Sequence, residues 1–515
     1  MKRIMSLLLV LVMLLSLAAC AKPAADKTDK PAENGSTAAE TPSGDHADEV
    51  STDSSEWPVI SVQVANIGDA TDEQEVEDAT NDYLRSINAG VLIDYIPIAP
   101  ANTSTTLQLM LTGGDDPIDL FNWRWWSSIT GVVRNEQALP LDGYKDQYPE
   151  LWEICDARIM KTQQIDGVTY AFPTMDGFCT EGMYVMRKDI ADELGVSDLE
   201  GTHITLDQLT DILYRAKEAH PEYCYMFDTE NQANLCNVDN FGDPNYIGVL
   251  ENTGVDQTKI VNHYETETYY NTVKQIREWN EHGLFQNDPL NNKITISDMN
   301  NNITAGFFCG AFSVENLKAS VTYLTMDVVV FYVSDLAAMG SSVGGGWCVS
   351  TVSKHPDAAM KMLSLLLTDS NMMNFISHGI EGKHYVVDEN GIGQYADGID
   401  SNYAGWTLTA DWFYPNRYIS IPFDTDNKDV FVEMQDAING AVFSNALGFN
   451  FDSTPVYDQY TAVAAVVAEY RDALRYGLVD VDEYLPKFQE ELKAAGIDEV
   501  IAEEQRQYDE FLAQN

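Results

Sequence analysis

Hydrophobic and polar positions follow two alternating periods along this chain, and their order sets the expected architecture. Val59 to Asn66 reads as a strand, and Asp72 to Asn88 as a helix with Val76, Ala79, Tyr83, Leu84 and Ile87 on one face. Val91 to Ile98 alternates as the next strand, a helix over Thr105 to Leu111 stops at Gly113-Gly114, and Pro117 to Phe121 is a short third strand. Strand, helix, strand, helix, strand predicts a parallel sheet with right-handed crossovers. Near the other end, Asp482 to Ala495 reads as a helix closed by Gly496, and the next helix puts Ile501, Tyr508, Phe511 and Leu512 on one side.

Ligands of open parallel sheets collect outside the carboxyl ends of the strands, which points at Asn66 to Asp69 and at Asn122 to Trp126. The second segment is Asn122-Trp123-Arg124-Trp125-Trp126. Trp123, Trp125 and Trp126 in a loop at that edge suit a sugar: flat apolar rings against pyranose C–H faces, with amide and charged groups for the hydroxyls. The alternative for one or two of these rings is simple core filling beneath the loop.

The first residues change the picture of where the chain works. Met1 to Ala19 have a basic start at Lys2 and Arg3, an apolar stretch from Leu7 to Leu15 and small residues before Cys20, the three-part pattern of a secretory leader. Leu17-Ala18-Ala19-Cys20 resembles a bacterial lipoprotein box, which implies leader removal after residue 19 and a lipid on the Cys20 thiol. The apolar stretch is shorter than the roughly 20 residues a spanning helix needs. Residues 20–56 lack aromatic residues and are rich in Ala, Lys, Asp, Glu, Pro, Ser, Thr and Gly, a composition that predicts a disordered tether.

Charge removes whole classes of partner. The formal net charge is -51, so nucleic acid is excluded, binding to an anionic membrane surface is opposed, and polyanionic ligands need a local basic pocket. At 45% hydrophobic residues, with nine Trp and 26 Tyr, the chain after the tether is able to build two lobes and an appendage. Cys155, Cys179, Cys224, Cys236, Cys309 and Cys348 are too scattered for a disulfide framework, although Cys224 and Cys236 are near enough for a local bridge; buried free thiols are the other reading. No CxxC or HExxH occurs, so no metal or cofactor is expected.

Several ordered segments resemble the extracellular solute-binding lipoproteins of ABC-type carbohydrate importers, the family 1 solute-binding proteins. They are Ala138-Leu139-Pro140-Leu141-Asp142, Asp166 to Pro173, Tyr184 to Leu194 with Arg187-Lys188-Asp189 opening a helix, and Gly344-Gly345-Gly346-Trp347 followed by Ser353 to Ala359. Gly379-Ile380-Glu381-Gly382-Lys383-His384-Tyr385 and the run from Lys493 to Asp509 resemble a subgroup with a GIEGxxY motif and a helical C-terminal domain of uncharacterised function. The subgroup's lysine-rich surface is acidic here.

The resemblance implies a two-lobed α/β fold of the periplasmic-binding-protein type (type II), each lobe a mainly parallel sheet with flanking helices, plus a helical C-terminal extension. The expected domains are a signal peptide (1–19), a tether (20–56), a discontinuous two-lobed body (57–450) with crossovers near 170–175 and 305–345, and a C-terminal domain (451–515). Expected ligand residues are Asn66, Trp123, Trp125, Trp126, Asp176, Trp347, Trp406 and Trp412. Asp176 follows the Phe172-Pro173 crossover, where it serves either sugar hydroxyls or a turn, and Trp406 and Trp412 divide evenly between ligand and core.

Catalytic motifs are missing. No GxSxG elbow occurs, Ser350 to Lys354 has threonine where a Ser-x-x-Lys nucleophile needs serine, and Gly344 to Gly346 lacks the Lys-Ser/Thr of a phosphate loop. Asp424, Asp426 and Asp429 lack the glycine and closing glutamate of a calcium loop, and His378 and His384 read as scaffolding around the Gly-Ile-Glu-Gly turn. The expected function is capture of an extracellular carbohydrate, an oligosaccharide or glycoside, by a lipid-anchored monomer that hands it to an ABC permease in the membrane. The rival readings are an anchored glycan-active enzyme, and a peptide or amino-sugar binder on the same fold.

Overall fold

The computed structural model describes residues 53–514, apart from Asp69, Asp115, Trp125, Gly177, 228–234, Thr322, 340–344, 400–404, 407–412 and 424–427. The leader, Cys20, Trp125, Trp412, Asp424 and Asp426 thus lie outside the described residues. At the end of the expected tether, Ser54–Glu56 form a 3-10 turn capped by Asp53, which accepts from the Ser55 backbone N–H.

Two sheets organise the body. Their strands are β1 (Val59–Ala65), β2 (Leu92–Ile98), β3 (Leu120–Asn122), β4 (Phe172–Pro173), β5 (Glu181–Arg187), β6 (Gly306–Ala311), β7 (Val328–Tyr332) and β8 (Gly346–Val349). The first sheet has the order β2-β1-β3-β8-β4, with β1 parallel to both β2 and β3 and with β8 antiparallel to both its neighbours. Helices Glu73–Ser86 and Thr103–Met110 connect the parallel strands, as the hydrophobic period predicts.

The inward face of helix Glu73–Ser86 carries Val76, Thr80, Asn81 and Leu84. Asn81 occupies that face because its side chain bonds both ways with Ile93 of β2, donating to the carbonyl at 2.9 Å and accepting from the N–H at 2.8 Å. Ile87, expected on the same face, is exposed, since the helix ends at Ser86.

The second sheet, β6-β5-β7, corrects the expectation of a mainly parallel arrangement: every pairing in it is antiparallel. Strands β6 and β7 run the same way with helix Val314–Ser320 between them, but β5 is wedged between the two in the opposite direction. Connectivity dictates this. The chain enters the second lobe along β5 from the end of β4 and leaves it along β7 towards β8, so the entering and leaving strands must point opposite ways.

Helices Tyr457–Arg475, Val481–Ala495 and Ile497–Gln514 form the C-terminal bundle. Gly496, with φ at 97°, makes the left-handed cap that the sequence marks. Val463, Val467, Leu485, Phe488 and Leu492 join Ile247, Tyr264, Tyr269 and Val273 of the second lobe in one buried cluster. Tyr508, with Ile501, Phe511 and Leu512, packs in a cluster with Leu250, Ile260 and Phe449. Cys224 and Cys236 are both free, Cys224 beside Thr304 and Cys236 beside Thr272, so no bridge joins them. Among the described residues no helix is long and apolar enough to cross a membrane.

Candidate ligand-binding site

The carboxyl end of β3 is tied to its surroundings by one buried amide. Asn122 accepts from the backbone N–H groups of Arg124 (2.9 Å) and Gly346 (3.1 Å) and donates to Thr174 Oγ1 (2.9 Å). Its own N–H donates to Gln63 Oε1 of β1 at 2.9 Å. The tryptophan loop, the start of β8 and the segment after β4 are thereby fixed at one edge. Gly346 permits the close approach: a Cβ there would stand 2.0 Å from Gln163 Oε1 and 2.7 Å from Trp123 Nε1.

At this edge Trp123 is half-buried and donates Nε1–H to Gln163 Oε1 at 3.1 Å. Trp126, also half-buried, donates Nε1–H to the Asn122 carbonyl at 2.9 Å and tilts against Phe121. Each indole N–H is engaged by protein, which fixes ring orientation while part of each ring stays accessible. Arg124 lies between them; burial pulls its guanidinium pKa down and Asp176 opposes that shift. Asp176 accepts from Arg417 Nη1 at 3.3 Å. Asn66 follows β1 at the neighbouring strand end, half-buried, with its N–H on the Ile98 carbonyl at 3.0 Å.

Two expected ligand residues are core residues instead. Trp347 is fully buried, with Nε1–H on the Phe413 carbonyl at 3.1 Å and its ring edge-on to Phe413. Strand β8 is paired on both sides, so its side chains point into the flanking layers rather than off the sheet end. Trp406 is buried against Tyr95 and donates to the Phe375 carbonyl at 3.1 Å. Gly345 and Gly346, just before Trp347, make room for Asn122 and Arg124 and for Gln163 and Trp123.

The Gly-Ile-Glu-Gly turn is scaffolding in the described structure. His384 accepts from the Ile380 N–H through Nδ1 at 2.8 Å and places Nε2 3.2 Å from Asp72 Oδ2. Lys383 adds ion pairs to Asp72 and Glu75. These contacts anchor the start of helix Glu73–Ser86, just beyond the Asn66 loop. His378 stacks on Phe423 with ring centroids 4.5 Å apart. No cluster of metal-ligating side chains occurs among the described residues.

Two further charged residues were not legible in the sequence. Arg417 lies far along the chain from Asp176, in no motif, and its only signal is its place just after the aromatic run 412–414. Glu181, the first residue of β5, was missed too: its Oε1 lies 2.6 Å from His203 Nε2. The His203 ring in turn stacks on Tyr332, the last residue of β7, with centroids 5.1 Å apart.

Two sheets joined by crossovers, with polar and aromatic groups at the edge where the crossovers leave, frame this candidate site. The chain belongs to the bacterial extracellular solute-binding proteins, whose family model matches residues 69–373. Residues 445–513 match a further model described as a domain of unknown function, DUF3502. The family is one of binding proteins rather than enzymes.

A carbohydrate ABC transporter substrate-binding protein from Streptococcus pneumoniae serotype 4 is 23% identical over 479 residues, covering 89% of this chain and 92% of that protein. The crystal structure of the N-glycan transport solute binding protein NgtS from Streptococcus pneumoniae superposes with a TM-score of 0.77 at 20% identity, covering 88% of this chain and 99% of that one. An HMO-binding, ABC-transporter-associated solute-binding protein from Bifidobacterium longum infantis matches with a TM-score of 0.58 at 15% identity over 88% and 99% of the two chains. At these identities the structural likeness establishes the fold.

Proposed function

We propose that this protein captures an oligosaccharide or glycoside outside the bacterial cell and delivers it to an ABC-type permease. The observation that carries this reading is the grouping of half-buried Trp123 and Trp126 with Arg124 and the Asp176–Arg417 pair at the crossover edge. Rings held by their indole N–H groups offer faces to sugar C–H bonds, while the ion pair offers directed acceptors and donors to hydroxyls. Asn66 adds an amide at the adjacent strand end. The names of relatives in carbohydrate and N-glycan transport support the same choice.

Capture works by hinge closure: a ligand that bridges both lobes stabilises the closed arrangement only by its differential affinity for it. We further infer that leader removal after residue 19 leaves Cys20 as a lipid anchor, with residues 20–56 as tether, 57–450 as the body and 451–515 as the C-terminal domain. The test is a thermal-shift screen across glycans. Ligand at 100 times its dissociation constant stabilises the native state by about 2.7 kcal/mol. Stabilisation by a glycan that is recovered intact supports the reading, and turnover of the glycan contradicts it.

A further inference from the structure

We propose that Glu181, His203 and Tyr332 form the second-lobe wall of the ligand site, with a carboxylate acceptor for sugar hydroxyls and an imidazole face for a pyranose ring. The inference rests on the carbohydrate reading above and adds to it the residues with which the second lobe grips the sugar.

The three residues come from separate segments that meet where the chain passes between lobes. Glu181 opens β5 directly after Thr180, which exchanges two backbone hydrogen bonds with Ala337 at 2.9 and 3.0 Å. Gly182 N–H donates to Ser334 Oγ at 2.7 Å, pinning the start of β5 to the returning crossover. Tyr332 closes β7, and its N–H and carbonyl bond the Thr202 carbonyl and the Ile204 N–H at 3.1 and 3.0 Å, which lays His203 alongside. Phe312, just past β6, belongs to the same buried cluster as Met175, Phe178 and Trp347 of the first lobe. This end of the second sheet therefore abuts the first lobe.

The chemistry is asymmetric in a way that a structural ion pair does not require. The Glu181 side chain is 7% exposed while that of His203 is 62% exposed, so a largely buried carboxyl sits beside an imidazole that is open to solvent. One face of His203 lies on Tyr332, tilted 30° from parallel. The groups facing Glu181 are His203, Asp335, Tyr332 and the Cys179 thiol, and Tyr332 is faced by Glu315 as well. Burial pushes the Glu181 carboxyl up to about 7, with His203 opposing and Asp335 adding to the shift. Sugar hydroxyls that donate to this carboxylate favour its ionised form, so binding weakens as pH falls through that value.

The experiment is calorimetric titration of the mature protein with a panel of N-glycan-derived oligosaccharides at pH 8 and pH 6. The variants are His203→Ala, Tyr332→Ala and Glu181→Gln, with Trp123→Ala as the first-lobe comparison. The expected result is binding by the unmodified protein, about tenfold weaker in His203→Ala and Tyr332→Ala, the scale of a 1.4 kcal/mol contact. Affinity of the unmodified protein drops severalfold from pH 8 to pH 6, and Glu181→Gln abolishes that dependence. His203 is exposed, so His203→Ala folds and keeps the test decisive even if Tyr332→Ala does not. Glycan binding that Trp123→Ala weakens but that all folded second-lobe variants retain within twofold at both pH values overturns this proposal alone. Failure of the unmodified protein to bind any glycan overturns the carbohydrate reading, and this wall with it.

Discussion

Asp176 and Arg417 meet at 3.3 Å where the chain leaves the first lobe, with side chains 29% and 12% exposed. Arg124, beside the two accessible tryptophans, feels the same carboxylate. A carboxylate held by a guanidinium keeps a fixed direction and further lone pairs to accept hydroxyl protons. Asp176→Asn is expected to weaken glycan binding by about 1.5–3 kcal/mol, the range for hydrogen bonds to charged groups. Its thermal midpoint should fall as well, since Arg417 is 12% exposed and loses the carboxylate charge that faces it. Paired calorimetry and thermal melts check both halves.

The tryptophans divide into two groups with opposite phenotypes. Trp347→Ala and Trp406→Ala remove rings that are sealed in the first-lobe core, so each should cost about 3–5 kcal/mol of folding stability. Trp123→Ala or Trp126→Ala should instead weaken ligand binding by about 2 kcal/mol, the scale of an aromatic anchor. Denaturant titrations beside binding isotherms separate the two groups. A stable Trp347→Ala protein with lost affinity would return that ring to the ligand site.

Glu504, on the last helix, is buried with neither carboxyl oxygen hydrogen-bonded. Its Oε2 would stand 1.8 Å from a Cβ at Gly248, so the glycine makes room for it. Burial holds this carboxyl well above the ordinary range, and Asp243 adds to the shift. The folded state therefore keeps a proton that the unfolded chain releases near pH 4.3. The resulting contribution to stability is fully present below that unfolded value and declines as pH rises towards the folded one. Glu504→Gln should gain stability relative to the unmodified protein as pH increases from 5 to 8 in urea unfolding. Parallel curves for the two proteins would show that Glu504 ionises without cost.

Anchoring has its own test. With Cys20→Ala the chain should stay unprocessed or appear in the medium, without incorporating labelled fatty acid. A processed, lipid-labelled Cys20→Ala protein in the membrane fraction would contradict the anchor.

The first lobe was legible because its strands and helices each bury one face, so the period shows where Val59–Ala65, Glu73–Ser86, Leu92–Ile98 and Leu120–Asn122 lie to within a few residues. The direction of β5 was not legible, since it follows from where the chain enters and leaves the second lobe and not from local pattern. Trp123 and Trp347 look alike in sequence, each beside polar or glycine residues. What separates them is the partner of the indole N–H, Gln163 at the sheet end for one and the Phe413 carbonyl inside the core for the other. Arg417, Glu181 and His203 carry no spacing signal, because the contacts that give them meaning are made between distant segments.

The central claim is that Trp123, Trp126 and the Asp176–Arg417 pair hold an intact carbohydrate. Its most direct measurement is calorimetry of the mature protein against N-glycan-derived oligosaccharides, with the ligand recovered and weighed by mass spectrometry afterwards. Saturable binding of one unaltered glycan per protein, weakened by Trp123→Ala and by Asp176→Asn, is the result expected here. Absence of binding across the panel, cleavage of the glycan, or affinity unchanged in both variants would contradict it.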